Sequence, residues 1–460
     1  MVRYFPHFFP FHIGKFTHIP RSEKVFRLST SAEEKTVDEL SLLRKASERV
    51  FHSYNISYCC CCLLFIIDII YKTKKSKRQT NKRKIPQKGS FRMKFSCRQA
   101  DLNEALANVS RAVAQKSPIT ALEGVKIFLN KNELELTGYD LELGIQTKID
   151  VVSEDVGECI LNSKLFGDIV RKMPYEKLEI EIDEKLTTTI RGEKAEYKIL
   201  ALPANEYPSI PDVDMGDNFS VSQPMLKNMI NQTIFAVAVL DNKPILMGEL
   251  FDILDHNFNL VAVDGFRLAV RSEKIESDNH YNFVVKAKAL SEVSKLLKDD
   301  EKEMVTMHLS KKHIIFEIGK YMVLSRLLEG DFHNYKGSIP ESHSTEVIIN
   351  TRDLINSLER CSLLINEKAK APVRCLFKDG TVKVSCSTTL GKLNEDFEAD
   401  MTGPSVEAGF NCRYLLDAIK AAESDKVKLL LNGGLSPMKI VPMTGNSYIF
   451  LVLPLRLKAE

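Results

Sequence analysis

The sequence predicts an α+β fold in which one small domain occurs three times, each copy having two helices packed on antiparallel sheets. The first observation is a strand-to-helix segment that recurs around Leu102, Leu226 and Leu354. These leucines lie 124 and 128 residues apart, a period too long for a solenoid repeat and typical of a whole domain. The second observation is that the pattern of a helix followed by strands occurs twice within each copy. The function should therefore depend on what three copies build together.

The repeat sets the domain boundaries, and the charge divides the chain in the same way. We expect domains at residues 93–212, 219–340 and 345–460. Residues 1–92 carry 19 Lys and Arg against 7 Asp and Glu, whereas residues 93–460 carry 45 against 54. The net charge of +3 is therefore the sum of a basic N-terminal segment and an acidic remainder, called the body. An acidic body can approach nucleic acid only if its positive charges are gathered on one surface.

Residues 1–92 do not conform to the repeat. Residues 59–70 are apolar, but 12 residues are too few to span a bilayer of about 30 Å, and a basic run follows at 72–84. One reading is a membrane-surface anchor. The favoured reading is a disordered segment or the artefact of an upstream start, because the repeat begins directly after Met93. Residues 88–90 can be encoded by a purine-rich tract like a ribosome-binding site, so translation from Met93 is our hypothesis.

In the first copy, Asp101 stands where an N-cap is expected, and Leu102, Leu106 and Val109 share one helical face. A second helix is expected at 164–173, with Leu165 on its inward face beside other apolar residues. The chain predicts strands at 124–130, 133–137, 143–151, 158–161, 178–182, 187–191 and 197–202. The second helices of the later copies are expected at 287–298 and 413–423, which makes six amphipathic helices per chain.

Six helices per chain suggest a use. If sheets lie outside and helices inside a ring, with helices about 10 Å apart, six helices leave a hole narrower than about 10 Å. Twelve helices leave about 28 Å clear, enough for duplex DNA of roughly 20 Å. One chain is too small to encircle the duplex, whereas two chains are enough.

Several motifs, in the same order along the chain, carry a resemblance to a known family. They are residues 136–142 (LTGYDLE), 201–208 (ALPANEYP), 262–269 (AVDGFRLA), 330–340 (GDF, Tyr335 and Ile339-Pro340), 409–416 (GFN and YLL) and 453–457 (LPLRL). From Met93 to the end, the chain resembles the bacterial sliding clamp, the beta subunit of DNA polymerase III.

The resemblance implies the DNA clamp fold and a head-to-tail homodimeric ring that slides on duplex DNA without reading its sequence. It also implies a processivity factor that tethers the replicative polymerase alpha subunit and other proteins with clamp-binding motifs, and that a clamp loader opens. The expected protein is non-catalytic and cytoplasmic, without cofactor, metal or membrane attachment. Two alternatives remain: a paralogue that protects against a clamp-directed inhibitor, and a DNA-acting enzyme.

The resemblance places a groove for partner peptides between the second and third domains. An apolar pocket receives the partner's hydrophobic anchors, and contacts to its extended backbone set its direction. The matching positions are Leu246, Val263, Gly265, Phe266, Arg267, Leu268, Pro340, Pro437, Val452, Leu453, Pro454, Leu455 and Arg456.

The resemblance also places basic residues towards DNA, for loose contacts with phosphates. They are Lys116, Lys164, Lys243 and Lys288, with Arg111, Arg171 and Lys172 near the same helices. The alternative reading of each residue is a solvated charge on a helix surface.

Other candidate sites are weaker. Asp140 and Asp264 occupy equivalent places in two copies, but Ser387-Thr388 stands there in the third, so turn capping is favoured over catalysis. The six histidines after residue 92 have no metal-ligand spacing, and no P-loop sequence is present. The scattered cysteines are expected to be buried thiols.

Overall fold

The structure is a computed structural model that describes residues 92–457, apart from 212, 214–216, 240–242, 277–278 and 366–370. The predicted extension lies outside the described residues, except for its last residue, Arg92. The described part forms one compact unit of the chain.

The first repeat contains two helices and nine strands among the described residues. The helices are α1 (Gln99–Val109) and α2 (Ser163–Lys172). The strands are β1 (Met93–Arg98), β2 (Gly124–Asn130), β3 (Glu133–Tyr139), β4 (Leu143–Asp150), β5 (Val156–Asn162), β6 (Lys177–Ile182), β7 (Thr187–Arg191), β8 (Glu196–Leu200) and β9 (Leu202–Pro203).

The second repeat has helices α3 (Gln223–Thr233) and α4 (Ala287–Leu296). Its strands are β10 (Asp217–Ser222), β11 (Gly248–Leu254), β12 (Asn257–Val263), β13 (Arg267–Lys274), β14 (Tyr281–Lys286), β15 (Met304–Leu309), β16 (His313–Ile318) and β17 (Tyr321–Leu328).

The third repeat has helices α5 (Thr351–Leu364) and α6 (Cys412–Ala421). Its strands are β18 (Thr345–Asn350), β19 (Val373–Lys378), β20 (Thr381–Thr388), β21 (Gly391–Glu398), β22 (Asp400–Thr402), β23 (Val406–Phe410), β24 (Lys426–Leu431), β25 (Met438–Val441) and β26 (Tyr448–Val452). The two helices of each repeat pack against each other.

Antiparallel sheets continue from one repeat to the next. Strand β4 of the first repeat pairs with β17 of the second, and β13 of the second pairs with β26 of the third. Each junction therefore joins four strands of one repeat to four of the next: β5-β2-β3-β4 to β17-β16-β15-β10, and β14-β11-β12-β13 to β26-β25-β24-β18. Two further sheets of four strands each, β1-β6-β7-β8 in the first repeat and β23-β19-β20-β21 in the third, are not joined to another repeat within the described residues and are called the end sheets.

The helices lie over an apolar core, as the periodicity predicts. Leu102, Leu226 and Leu354, the repeated leucines, are all buried there. Most helices have a side-chain cap: Asn162, Ser222, Asn350 and Asn411 accept backbone N–H groups at the starts of α2, α3, α5 and α6. The α+β prediction, with two helices on antiparallel sheets in each of three copies, is confirmed.

Three predicted details are wrong. Asp101 is not an N-cap, since Arg98 occupies that position and Asp101 lies in the first turn, where it accepts hydrogen bonds from Arg98. Leu165 is not inward, because the start of α2 turns its side chain outwards and leaves it 49% exposed. The predicted strand 197–202 is two strands, since β8 pairs with β7 in one sheet and β9 pairs with β5 in another.

The predicted buried thiols are confirmed among the described residues. Cys97, Cys159, Cys361, Cys375, Cys386 and Cys412 are all free and buried. Burial raises the pKa of Cys375 to about 12, so its thiol stays protonated and unreactive at neutral pH. Within the same part of the chain, no helix is long and apolar enough to cross a membrane.

Candidate functional site

A groove of about 490 Å³ lies where the second repeat meets the third. Its apolar wall comes from the β12–β13 hairpin, the short helix before β11 and the end of β26. A polar rim comes from the loop after β17 and from Lys243. The lining residues are Lys243, Ile245, Leu246, Val263, Gly265, Arg267, Leu268, Asp331, His333, Ser338, Pro437, Leu451 and Leu453.

A tight turn brings β12 and β13 together beside the groove. Oδ1 of Asp264 accepts the N–H groups of Phe266 and Arg267, both at 2.9 Å. Gly265 has a φ of +85°, which glycine adopts without strain. The carbonyl of Phe266 then accepts the N–H of Leu453 at 2.9 Å, so the turn fixes the chain that leaves β26. Asp264 is therefore a capping residue, and Asp140 does the same for Glu142 and Leu143 in the first repeat.

The groove brings together part of the predicted peptide-binding set. Leu246, Val263, Gly265, Arg267, Leu268, Pro437 and Leu453 line it. The remaining predicted residues lie beside or beneath it: Phe266 is exposed, Val452 is buried in the core of the third repeat, and Pro340, Pro454, Leu455 and Arg456 lie on neighbouring segments. Leu455 is tied there by its N–H, which donates to the carbonyl of Gly409 at 2.7 Å.

Sequence reasoning missed several lining residues. Ile245 and Leu451 could have been found, because Ile245 adjoins Leu246 and Leu451 alternates with Leu453. Asp331, His333 and Ser338 lie on an irregular loop and carry no periodic signal. Tyr335 anchors this loop by donating from its hydroxyl to Oδ2 of Asp252 at 2.6 Å. Burial and the Asp252 carboxylate raise the pKa of Tyr335, so the phenol remains a donor at neutral pH.

Arg267 forms the charged floor of the groove. Its guanidinium is 7% exposed, with Nε 3.0 Å from Oδ2 of Asp264 and Nη1 2.7 Å from Oδ2 of Asp417 on α6. The Cζ atom also lies 4.3 Å from the centre of the Tyr414 ring and 5.5 Å from that of Phe235. A buried cation needs such partners. Arg267 thus ties the groove to helix α6 of the third repeat.

The predicted DNA-facing residues fall into two groups. Lys116, Lys164, Arg171 and Lys172 are exposed on or near α2, where Lys164 and Arg171 line a groove of about 750 Å³ between α1 and α2. The other group lies at repeat junctions. Nζ of Lys288 is 2.5 Å from Oδ2 of Asp140, Nε of Arg111 is 3.9 Å from Glu292, and Lys243 lines the groove described above.

Comparison with known proteins covers nearly all of the described chain. Family models of the N-terminal, central and C-terminal domains of the DNA polymerase III beta subunit match residues 93–211, 220–334 and 336–456. The beta sliding clamp of Bacillus subtilis (strain 168) is 31% identical over 377 residues, which cover 79% of this chain and 100% of that protein.

Solved structures agree with these matches. The crystal structure of the DNA polymerase sliding clamp from Bacillus subtilis is 31% identical, with a TM-score of 0.76 over 80% of this chain and 100% of that one. The sliding clamp from Pseudomonas aeruginosa, bound to griselimycin, is 26% identical, with a TM-score of 0.75 over 80% of this chain and 100% of that one. These matches do not favour a DNA-acting enzyme or an inhibitor-protecting paralogue. The chain belongs to the DNA polymerase III beta subunit family, the bacterial sliding clamps.

Proposed function

We propose that two copies of this non-catalytic processivity factor close head to tail into a ring around duplex DNA. The observation that carries the proposal is the pair of four-stranded end sheets. In the described part of the chain, β8 pairs on one side only, with β7, and β21 pairs on one side only, with β20. Each internal junction has eight strands, so pairing β21 with β8 of a second copy completes a third sheet of the same kind.

Closing the ring also removes two exposed sheet edges. An unpaired edge strand can pair with other chains and so promotes aggregation. A head-to-tail contact that is repeated by twofold symmetry covers both edges of both chains. Leu200, the last residue of β8, and Leu390, just before β21, are 76% and 63% exposed, which supports burial of these edges in the assembly. The domain divisions at 93–212, 219–340 and 345–460 then give six domains and twelve helices around the hole.

We assign duplex DNA to the helix-lined inside. The exposed cations Lys116, Lys164, Arg171 and Lys172 make salt-dependent contacts with phosphates, and the net acidity of residues 93–460 keeps DNA off the outside. Such contacts carry no base recognition, as sliding requires.

We assign the groove at the second junction to peptides of partner proteins. Its Leu, Val and Pro wall takes apolar anchors, while the polar rim binds polar parts of the peptide. The occupants are the replicative polymerase alpha subunit, the clamp loader and other proteins that carry clamp-binding motifs. The proposed place of action is the cytoplasm.

The test is retention on closed circular DNA. After loading by a clamp loader, the protein should stay on nicked circles at about 0.5 M salt. At that ionic strength the Debye screening length is roughly 4 Å, so contacts with phosphates are weak. The protein should leave within minutes when the same circles are linearised. Equal loss from circles and linear DNA would contradict encirclement, and binding to circles without a loader at low salt alone would point to simple electrostatic adhesion.

A further inference from the structure

The three repeats carry corresponding hairpin turns. Asp140, Asp264 and Thr388 each accept, through a side-chain oxygen, the N–H two residues ahead: Glu142 at 3.0 Å, Phe266 at 2.9 Å and Leu390 at 3.1 Å. In each case the next strand begins three residues after the capping residue, at β4, β13 and β21. The turns therefore correspond residue by residue, although only two of the three caps are charged.

At the first junction, the turn docks on the beginning of the next repeat's second helix through ion pairs. Lys288, the second residue of α4, pairs with Asp140 at 2.5 Å, and Lys286 just before α4 pairs with Glu142. Arg111, beyond the end of α1, faces Glu292 on α4.

At the second junction, the same positions meet through aromatic rings as well as charge. Phe266 of the turn packs against Tyr414, the third residue of α6, with ring centres 6.1 Å apart. Phe235, which corresponds to Arg111, lies against the Arg267 guanidinium that reaches Asp417 on α6. Both internal junctions thus join the turn of one repeat to the first two turns of a helix in the next.

The third turn has no such partner within the described chain, and the matching helix is α2 of the first repeat. Its second and third residues are Lys164 and Leu165, at the positions of Lys288 and Tyr414 respectively. Leu165 is 49% exposed, Leu390 of the turn is 63% exposed, and Leu363, which corresponds to Arg111 and Phe235, is 80% exposed. Three exposed leucines therefore occupy positions that are covered or paired at the other junctions.

We propose that the contact between copies is an apolar form of the internal junctions, in which Leu390 and Leu363 pack on Leu165 of the second copy. Lys164 of that copy then faces Thr388 instead of an aspartate. This inference rests on the proposed ring and adds which residues hold it closed. The ion pair between Asp140 and Lys288 at the first junction has no counterpart here, so a single carboxylate at position 388 should strengthen this contact.

The apolar part is tested by the dissociation constant of the dimer, measured by exchange of fluorescently labelled chains. Leu390→Ser and Leu165→Ser should each weaken the dimer by about tenfold or more, as expected for one buried leucine. The control is Leu435→Ser, which changes an even more exposed leucine (78%) in the hairpin between β24 and β25 and should leave the constant within about twofold. Unchanged urea midpoints of the variants show that folding is intact.

The missing ion pair is tested by restoring it. Thr388→Asp should tighten the dimer about three- to fivefold at low salt, as expected for an exposed pair, and the gain should disappear in high salt or when Lys164→Ala is added. If the leucine variants exchange like the natural chain, or the gain from Thr388→Asp survives Lys164→Ala, the inference is overturned while the ring stands. A natural chain that remains monomeric at every concentration would overturn the ring as well.

Discussion

Nη1 of Arg267 lies 2.7 Å from Oδ2 of Asp417, so one side chain connects the floor of the groove with helix α6 of the next repeat. The same guanidinium pairs with Asp264, which also caps the turn beside the groove. Groove shape and the seam between the second and third repeats therefore depend on one buried cation. Arg267 therefore couples the groove wall to helix α6.

Arg267→Met keeps most of the apolar stem and removes the charge. The variant leaves two carboxylates that have lost their shared cation, and breaking such a buried pair costs about 3 kcal/mol or more. We expect the free energy of unfolding, measured in urea, to fall by about that amount. Arg413 is an exposed arginine on α6, the helix that carries Asp417. Arg413→Met should change the free energy of unfolding by less than about 0.5 kcal/mol. Equal effects of the two changes would show that the buried pairs do not stabilise the seam.

Leu453→Asp places a charge in the apolar wall of the groove. The side chain is 40% exposed, so the folded chain tolerates the change, whereas a docked apolar anchor would be forced against a carboxylate. We expect a polymerase tail peptide to bind at least roughly thirtyfold more weakly in a calorimetric titration, a loss of about 2 kcal/mol. The dimer should persist, and Leu435→Asp, outside the groove lining, should bind as before. Unchanged peptide affinity for the Leu453 variant would remove this site.

Glu249 is predicted to make stability depend on pH. Its side chain is fully buried beneath α3, where Thr233 donates to Oε1 at 3.2 Å and Oε2 has no partner. Burial raises the pKa of Glu249 well above its ordinary value. Because the folded chain holds this proton more tightly than the unfolded chain, the associated stability is complete at pH below the unfolded pKa and is lost as pH rises towards the folded one.

Glu249→Gln removes that titration while keeping the shape. Urea unfolding from pH 5 to pH 8, a range of our choosing, should show the natural chain losing stability relative to the variant by at most about 1.4 kcal/mol per pH unit. Burial, the largest single effect, raises the pKa of Glu395, but the hydrogen bonds and charge around it, chiefly those of Arg360, together lower the pKa below its ordinary value. Glu395→Gln should therefore show the opposite trend at acid pH. Parallel pH profiles for the natural chain and Glu249→Gln would mean that Glu249 does not hold its proton.

The proposed contact between copies has a defined register. At the first junction, Gly144, the second residue of β4, pairs with Leu324 of β17. At the second junction, Leu268, the second residue of β13, pairs with Leu451 of β26, so Leu324 and Leu451 are equivalent. The corresponding second residue of β21 is Lys392. On the other side, Leu178 and Val305 are equivalent, because they pair with β1 and β10 at Cys97 and Val221. The next ladders pair Glu179 with Arg191 and Thr306 with Glu317, and then Arg191 with Glu196 and Glu317 with Met322. Traced through these pairings, Lys198 is equivalent to Leu324.

Cysteines at Lys198 and Lys392 of one chain should therefore form covalent dimers under mild oxidation. Directly opposite residues in antiparallel strands are about 5 Å apart at Cα, within the range that a disulfide requires. Cysteines at Tyr197 and Lys392 face opposite sides of the sheet and should cross-link poorly, as should the natural chain. Denaturing gels read the result, and equal cross-linking of all three proteins would refute the register.

Local pattern was enough to predict much of the fold. The leucines at 102, 226 and 354 and the apolar stripes around them identify three repeats and their helices, because a helix signals its buried face through spacing along the chain. Helix starts were less predictable. Asp101 is an acceptable cap by residue type, yet the strand before α1 runs on to Arg98, and pairing with β6 decides where the helix begins.

The candidate groove was predictable only in part. Val263, Leu268 and Leu453 belong to strand ends with recognisable sequence, whereas Asp331, His333 and Ser338 reach the rim through a loop with no repeating pattern. Lys243 is another groove residue that the sequence did not predict. The resemblance to the family matched it to a DNA contact, and only the structure shows that it also lines the groove with Leu246.

The sequence by itself determined the three repeats and the two helices and antiparallel strands of each, since these follow from spacing over short stretches. Its motifs also carried the resemblance to the clamp family. Only the tertiary structure decided which side chains of each repeat are exposed and which contact the next repeat. Leu165 has the spacing of a core residue but is exposed, and Lys288 resembles a free surface cation but is bound to Asp140. Their surroundings come from segments more than a hundred residues away, and no periodicity within one helix records the register in which two distant strands pair.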